Sequence, residues 1–449
     1  MASEAAGSDG AGGAPVGPKV VGRAPRGWYH GWNIIAVGIL AQIACNGLTI
    51  NTFSLFLRDW AAEFHTSISS LQLAPAAMGL ASSVFAAFIG GLADTKPARW
   101  LFAIGLAGLA VFYTVLSFAN APWQIVALYG SLLPLGVIFS GALTANALVS
   151  RWFVRRLGLA LGLTAFGTGI AGVILPPIIA ALAPAVGWRW IWRGAGLIIA
   201  LVFIPLALTV FRDRPGAEEG AFYLSGASTG KRPLIHGAAG SSLSWRTVFA
   251  RRNFWLLVAV YLPILGIYGG SAQNLTPIVA LHGMGRPVAS LLLSMLSLSY
   301  VVSTLVLGVV SDRFGNRVPF MGLATTSATG AFLLAFGHSL PTATAGAILV
   351  GAGGGLFPLL ASGIAAEFGA EGFGRAFGLA MAFVPLISLS PFSIAKSQEM
   401  LGSYAPALVG LGLLALTCGA VSLLFRERHG GHATQDEKAA IIEAGAPLA

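Results

Sequence analysis

Charge is what this sequence has least of. Only 9% of the 449 residues are Asp, Glu, Lys or Arg, and acidic side chains number 16. A soluble domain carries about 25% charged residues. This chain cannot clothe an apolar core for water, and a soluble enzyme is set aside. Cysteine is almost missing. Cys45 and Cys418 each lie in an apolar run, which excludes a disulfide framework and any zinc spacing. The seven His residues are scattered, and no two make a ligand pair. His30 and His338 stand near the ends of apolar runs, where an interfacial role is expected. No run holds paired carboxylates or a nucleophile beside a base, so there is no case for catalysis, a metal or a cofactor.

What the chain does have is hydrophobicity: 56% of its residues are apolar or aromatic, with a mean hydropathy of +0.80. A helix crosses a bilayer with about 20 apolar residues. Twelve runs reach that length: 31–57, 70–93, 100–120, 123–150, 157–184, 190–211, 253–282, 288–311, 318–338, 341–366, 373–397 and 404–425. Residues 1–27 are rich in Gly, Ala and Pro and read as a flexible tail. They lack the short apolar core and cleavage site of a secretory signal. The longest polar stretch divides six runs from six. The expected organisation is a tail over 1–27, a bundle over 28–211, a linker over 212–252, a second bundle over 253–425 and a tail over 426–449.

The net charge of +10 would suit a nucleic acid if it lay on one face, but the basic residues stand between apolar runs. With the N-terminus inside, 21 of the 26 Lys and Arg fall on the inner side. Only Arg58, Arg189, Arg193, Arg286 and Lys396 fall on the outer side. Cytoplasmic loops hold such an excess. The expected partner surface is therefore a lipid bilayer and not a nucleic acid, with both termini cytoplasmic in a cell membrane.

The two halves repeat one another. Gly90-Gly91-Leu92-Ala93-Asp94-Thr95-Lys96-Pro97-Ala98-Arg99 follows span 2, and Gly308-Val309-Val310-Ser311-Asp312-Arg313-Phe314-Gly315-Asn316-Arg317 follows span 8. In each, Gly precedes Asp by four and Arg follows it by five, and the two Asp residues are 218 apart. Gly162-Leu163 in span 5 and Gly378-Leu379 in span 11 echo each other at an offset of 216. Two matches at nearly one offset indicate a duplicated six-helix unit. The fold class expected is an all-α polytopic membrane protein, with twelve transmembrane helices in two pseudo-symmetric six-helix bundles around a central cavity.

The Gly–Asp–Arg segments resemble the signature loop of the major facilitator superfamily of secondary transporters. Within it the chain is similar to the monocarboxylate porter and oxalate–formate antiporter group. That likeness rests on Gly31-Trp32, on Arg151-Trp152-Phe153-Val154-Arg155-Arg156 before Leu159-Ala160, on Gly187-Trp188-Arg189 and on Gly402-Ser403-Tyr404. The resemblance implies solute transport by alternating access, with spans 1, 4, 7 and 10 lining the cavity. It implies a small organic acid as cargo, with a proton or counter-solute coupled to it. The chain departs from the proton-coupled members at three places. Tyr300 and Thr304 stand where those members carry Asp and Arg, and Asn51 falls near their basic residue in span 1.

Charge at the bilayer centre is costly and usually marks function, and no span carries one in its middle. Arg58, Arg193, Glu367, Lys396 and Glu399 fall near span ends, where snorkelling accounts for them. Lys396 is placed to attract an anion at the cavity mouth or to pair with Glu399. Neutral polarity remains. Gln42, Asn46 and Thr49 share a face of span 1 at spacings of four and three. Asn51 lies just beyond, and Asn146 lies on span 4. Tyr261, Tyr268, Gln273 and Asn274 lie on span 7, and Tyr300 and Thr304, with Ser297, share a face of span 8. Two readings stay open for them: interhelical hydrogen bonds, or a cavity that binds a neutral or weakly anionic solute. Asp94, Arg99, Asp312, Arg313 and Arg317 read as gate parts at the inner face or as topology signals.

Small residues Gly158, Gly162, Ala165, Gly169 and Gly172 form a stripe on span 5, suited to close packing against a span of the other half. Gly167-Thr168-Gly169-Ile170-Ala171-Gly172 matches a dinucleotide fingerprint, but it lies inside an apolar span with no preceding strand. Gly351-Ala352-Gly353-Gly354-Gly355 lacks the Lys of a phosphate loop and reads as a flexible part of span 10. The function expected is secondary transport of an organic acid, with efflux of a hydrophobic compound as the alternative.

Overall fold

The computed structural model describes residues 29–95, 97–141, 144–145, 148–149, 152–153, 157–212, 245–314 and 317–422. Among them every regular element is helical. Lipid offers no partner to a backbone N–H or C=O, so a spanning segment closes its hydrogen bonds within itself. Eleven stretches are long and apolar enough to cross a membrane: Gly31–Asn51, Ile68–Phe85, Arg99–Leu116, Pro122–Ser140, Ala160–Val210, Arg252–Ala280, Arg286–Leu307, Val318–Phe336, Leu340–Phe368, Arg375–Leu401 and Ala405–Ser422. Ala160–Val210, with 51 residues, holds two spans. The chain turns between them at Gly187, whose φ of 75° and ψ of 158° suit glycine alone. The twelve spans form two six-helix bundles.

Span ends joined by the loops after spans 1, 3, 5, 7, 9 and 11 share one face, called here the odd-loop face. The opposite face carries the even loops. Short turns on the odd-loop face are closed by local chemistry. Ser67 Oγ accepts from the Ser70 N–H at 3.3 Å, and Ser339 Oγ accepts from the Thr342 N–H at 3.4 Å. Gly402, at φ 70°, ends the last helix of span 11 in a left-handed cap.

The first bundle is anchored by aromatic rings near this face. Trp60 stacks on Phe56 at 5.6 Å and touches Phe53, Trp188 and Trp192. Tyr129, Phe112 and Tyr113 complete the cluster. At the opposite end Tyr29, Trp32, Trp152 and Phe153 meet in a second cluster. The Tyr29 hydroxyl donates to the Trp152 carbonyl at 2.6 Å, and Trp152 Nε1 donates to the Arg212 carbonyl at 2.9 Å. The Gly31-Trp32 and Trp152-Phe153 pairs, 120 residues apart in sequence, thus make one joint.

Span 5 packs along span 1 of its own bundle and along span 8 of the other. A Cβ on Gly167 would stand 2.6 Å from the Ile39 carbonyl oxygen. A Cβ on Gly169 would stand 2.1 Å from Val301 Cγ2, and one on Gly172 2.2 Å from Ser297 Oγ. The small-residue stripe is therefore a place of close approach between the two bundles, and its partner is span 8. At Gly162 a Cβ would meet nothing within 4 Å, so the close contact does not extend that far.

The loops after spans 7 and 9 meet through His282 and His338, whose Nδ1 atoms are 2.9 Å apart. Burial and the neighbouring His338 hold His282 below the usual histidine range. The unfolded chain then binds more protons at this site, so the site weakens the fold as pH falls through about 6.5 and is neutral above it. His338→Ala is expected to raise the His282 midpoint toward about 6.5, read by NMR titration of labelled histidine in nanodiscs. Gly187→Ala is expected to destabilise the fold by about 1–3 kcal/mol, because alanine strains at this φ and ψ. Thermal unfolding against the wild type checks it, and an unchanged midpoint would show that the turn tolerates a side chain.

Candidate substrate cavity

The polar centre of the protein begins with an irregularity in span 1. Its α-helix runs over Gly31–Asn46 and then widens into a π-turn over Gly47–Asn51. The Thr52 N–H reaches back five residues to the Gly47 carbonyl at 3.1 Å. A π-turn takes an extra residue per turn. Residues five apart, which an α-helix sends to different sides, then return to one side. Asn46 and Asn51 are such a pair. Asn46 Nδ2 donates to Thr168 Oγ1 at 3.3 Å, and Asn51 Nδ2 donates to the Thr168 carbonyl at 3.0 Å. Both amides and Thr168 are half-buried.

The opposing wall comes from the second bundle. Tyr268 of span 7 and Tyr300 of span 8 stack with centroids 5.7 Å apart and planes 25° from parallel. Gly354 of span 10 makes room for them, since a Cβ there would stand 2.5 Å from the Tyr300 ring and 2.8 Å from the Tyr268 ring. Thr304 follows one turn on and donates to the Tyr300 carbonyl at 2.8 Å. Tyr268, Tyr300 and Thr304 are half-buried. The walls meet at Gly172, where a Cβ would lie close to both Asn51 and Ser297. Asn46, Thr168, Gly172, Tyr268, Tyr300 and Gly354 sit well inside their spans.

Other candidates are placed differently. Thr49 is buried and its hydroxyl donates to the Cys45 carbonyl. The Tyr261 hydroxyl donates to the Ala380 carbonyl from full burial. Asn274 is fully buried and donates to the Gly270 and Pro391 carbonyls at 2.9 and 3.0 Å. Tyr261 and Asn274 thereby join span 7 to span 11, while the Thr49 hydroxyl bonds within span 1. Gln42 is buried beside span 5, and its Oε1 has no partner among the described residues. Gln273 lends its backbone carbonyl to Gln72. Asn146 lies outside the described residues, as do the side chains of Asp94, Asp312, Arg313 and Arg317. Arg99 is exposed, with its guanidinium 5.4 Å from the Trp100 ring centre.

Sequence reasoning passed over Thr168 and Gln72. Thr168 was hidden inside a motif dismissed as a nucleotide decoy. Gln72 lies at the start of span 2, outside the spans expected to line the cavity. It is fully buried, and Nε2 donates to the Gln273 carbonyl at 2.9 Å and to Asn274 Oδ1 at 3.0 Å. An amide just inside the start of an apolar run was the available signal.

Gln72 belongs to a latch between the bundles. Ser54 Oγ and Thr276 Oγ1 lie 3.0 Å apart. Ser294 Oγ donates to the Val173 carbonyl at 2.7 Å. Ser69 donates to Glu399, and Arg286 pairs with Asp59. Lys396 pairs with Glu399 at 2.8 Å. Among the described residues every hydrogen bond and ion pair that crosses between the bundles lies in the half of the molecule toward the odd-loop face. The bundles are closed there.

Comparison with known proteins agrees with this architecture. The family model described as Major Facilitator Superfamily matches residues 39–285 and 264–448. An MFS-type transporter, pytF, of Aspergillus terreus is 25% identical over 298 residues, covering 65% of this chain and 93% of that protein. Monocarboxylate transporter 11 of Mus musculus is 28% identical over 328 residues, covering 71% of this chain and 67% of that one. A bacterial homologue of the human lysosomal transporter Spinster, solved inward-facing and unoccupied, superposes with a TM-score of 0.68 at 14% identity. That match covers 88% of this chain and 96% of the other. Two matching sextets of spans, a mid-membrane polar centre between them and a family match over nearly the whole chain lead to one conclusion: this chain is a membrane transporter of the Major Facilitator Superfamily.

Proposed function

We propose that the chain carries a small organic acid, a monocarboxylate or a close relative, by secondary active transport with alternating access. The observation that carries this reading is the mid-membrane arrangement of Asn46, Asn51 and Thr168 facing the stacked Tyr268 and Tyr300. Amide N–H and phenol O–H groups donate to a carboxylate without a buried cation, and the rings cover an apolar tail. The 28% identity to a protein named monocarboxylate transporter 11 supports the same class. The energy source on this reading is a gradient of the substrate, a proton or a counter-solute.

The charge bias of the loops supports placing the protein in the cell (inner) membrane, with the even-loop face and both termini in the cytoplasm. On that reading the closed odd-loop face is external. Asp94 and Asp312, with Arg99, Arg313 and Arg317, then serve a gate at the cytoplasmic ends of the bundles. A second reading, efflux of a hydrophobic or amphipathic compound, is favoured by one feature: the stacked tyrosine pair offers more apolar surface than a small acid needs.

Proteoliposomes loaded in parallel with lactate-like anions or dyes, with and without a pH gradient, separate the two readings. Uptake of the anions alone supports the first, and movement of dyes alone replaces it with the second. Asn46→Leu and Tyr268→Ala are each expected to cut transport about tenfold, near the value of one lost hydrogen bond of about 1.4 kcal/mol, with membrane insertion unchanged. Normal transport by both variants would remove the cavity assignment. Asp94→Asn is expected to slow exchange while substrate affinity holds. Unchanged turnover would count against a gate at that position.

A further inference from the structure

Among the described residues no cation lines the proposed central cavity, yet its proposed cargo is an anion. A positive charge that favours an anion can stand elsewhere, and the odd-loop face has a candidate. Five basic residues lie there. Arg189 pairs with Glu63, Arg193 donates to Ser117 Oγ at 3.0 Å, Lys396 pairs with Glu399 and Arg286 pairs with Asp59. Arg58 is exposed and has no hydrogen bond or ion pair among the described residues. It lines a cavity of about 240 Å³ between the bundles, together with Asp59, Thr276, Ala280, Met284 and Arg286. The first bundle thus contributes Arg58 and Asp59, and the second contributes Arg286.

The charges in this cavity leave one positive charge over. Arg286 has five N–H donors and holds a single carboxylate. Its side chain is 22% exposed and that of Asp59 32%, so water reaches the pair, and a pair of this kind is weak. An incoming carboxylate would meet Arg58 first and then compete with Asp59 for the Arg286 fork. The Ser54–Thr276 contact of the latch lies against the same cavity, since Thr276 lines it.

We propose that this cavity is a vestibular binding site for a small monocarboxylate, held by Arg58 and Arg286, and that the bound anion releases Asp59 and so loosens the latch between the bundles. The site rests on the organic-acid reading above. It adds a place where the anion is recognised before it reaches the neutral centre of the membrane, and it makes opening of that face depend on a charged cargo.

Labelling in lipid nanodiscs tests it. The full chain carries Cys45→Ser, Cys418→Ser and Ala280→Cys, and the reaction of the introduced thiol with a maleimide is timed. Lactate is expected to slow the reaction several-fold, while uncharged methyl lactate and sodium chloride of equal ionic strength leave it unchanged. Arg58→Gln is expected to abolish the protection, with its rate in lactate equal to its own rate without lactate. Asp59→Asn is expected to move protection to lower lactate concentrations, because the competitor for Arg286 is gone. Protection by the ester or by chloride, protection that survives Arg58→Gln, or no protection at all would overturn the site. Lactate flux measured on the same protein in proteoliposomes keeps the two ideas apart. Flux without protection removes the vestibule and leaves the organic-acid reading standing, and loss of both removes both.

Discussion

The bilayer supplies no hydrogen bonds, and the rest of the structure follows from that. It makes each span a helix, since only a helix satisfies its own backbone within one segment. It also makes polar side chains inside the membrane find partners or line water. Here those partners divide into two groups. Thr49, Tyr261 and Asn274 bond to backbone carbonyls from full burial, Thr49 within its own span and Tyr261 and Asn274 across to span 11. Asn46, Asn51, Thr168, Tyr268, Tyr300 and Thr304 stay half-buried at the junction of the bundles. The same requirement therefore separates the framework from the proposed cavity.

Much of the framework was legible in the sequence, because long apolar runs and the two matching loop segments are strong and periodic signals. The stripe on span 5 was legible as an interface, and the structure adds its partner, span 8, through contacts at Val301 and Ser297. The cavity was harder to read for a geometric reason. A face of span 1 drawn with α-helical spacing joins Gln42, Asn46 and Thr49. The π-turn over Gly47–Asn51 changes the register, so Asn46 and Asn51 come together and Thr49 turns away into the bundle. Nothing in Gly-Leu-Thr-Ile-Asn announces a π-turn. Whether a buried amide binds backbone or lines a cavity depends on neighbours hundreds of residues away, as Gln72 and Asn274 show at a separation of 202 residues.

Charge follows a similar division of labour. The spans are neutral in their middles, and the charged side chains near the odd-loop face are mostly matched in pairs. Some of those pairs lie within one bundle, such as Arg189 with Glu63, and strengthen it. Others lie across the bundles, such as Arg286 with Asp59. Only the second kind has to break when the bundles move apart. These crossing contacts are hydroxyls, amides and partly exposed ions, each weak alone.

The bare contact of Gly169 and Gly172 with span 8 gives the molecule a pivot. No side chain interlocks there on the span 5 side, so rotation about that point has no rotamers to unjam and no buried ion to strip. The latch starts beside it, at the Ser294–Val173 bond, and its other hydrogen bonds and ion pairs lie further out toward the odd-loop face. On the proposed alternating-access reading, a small angular change at that contact becomes a larger separation at the rim, where each bond to be broken is weak.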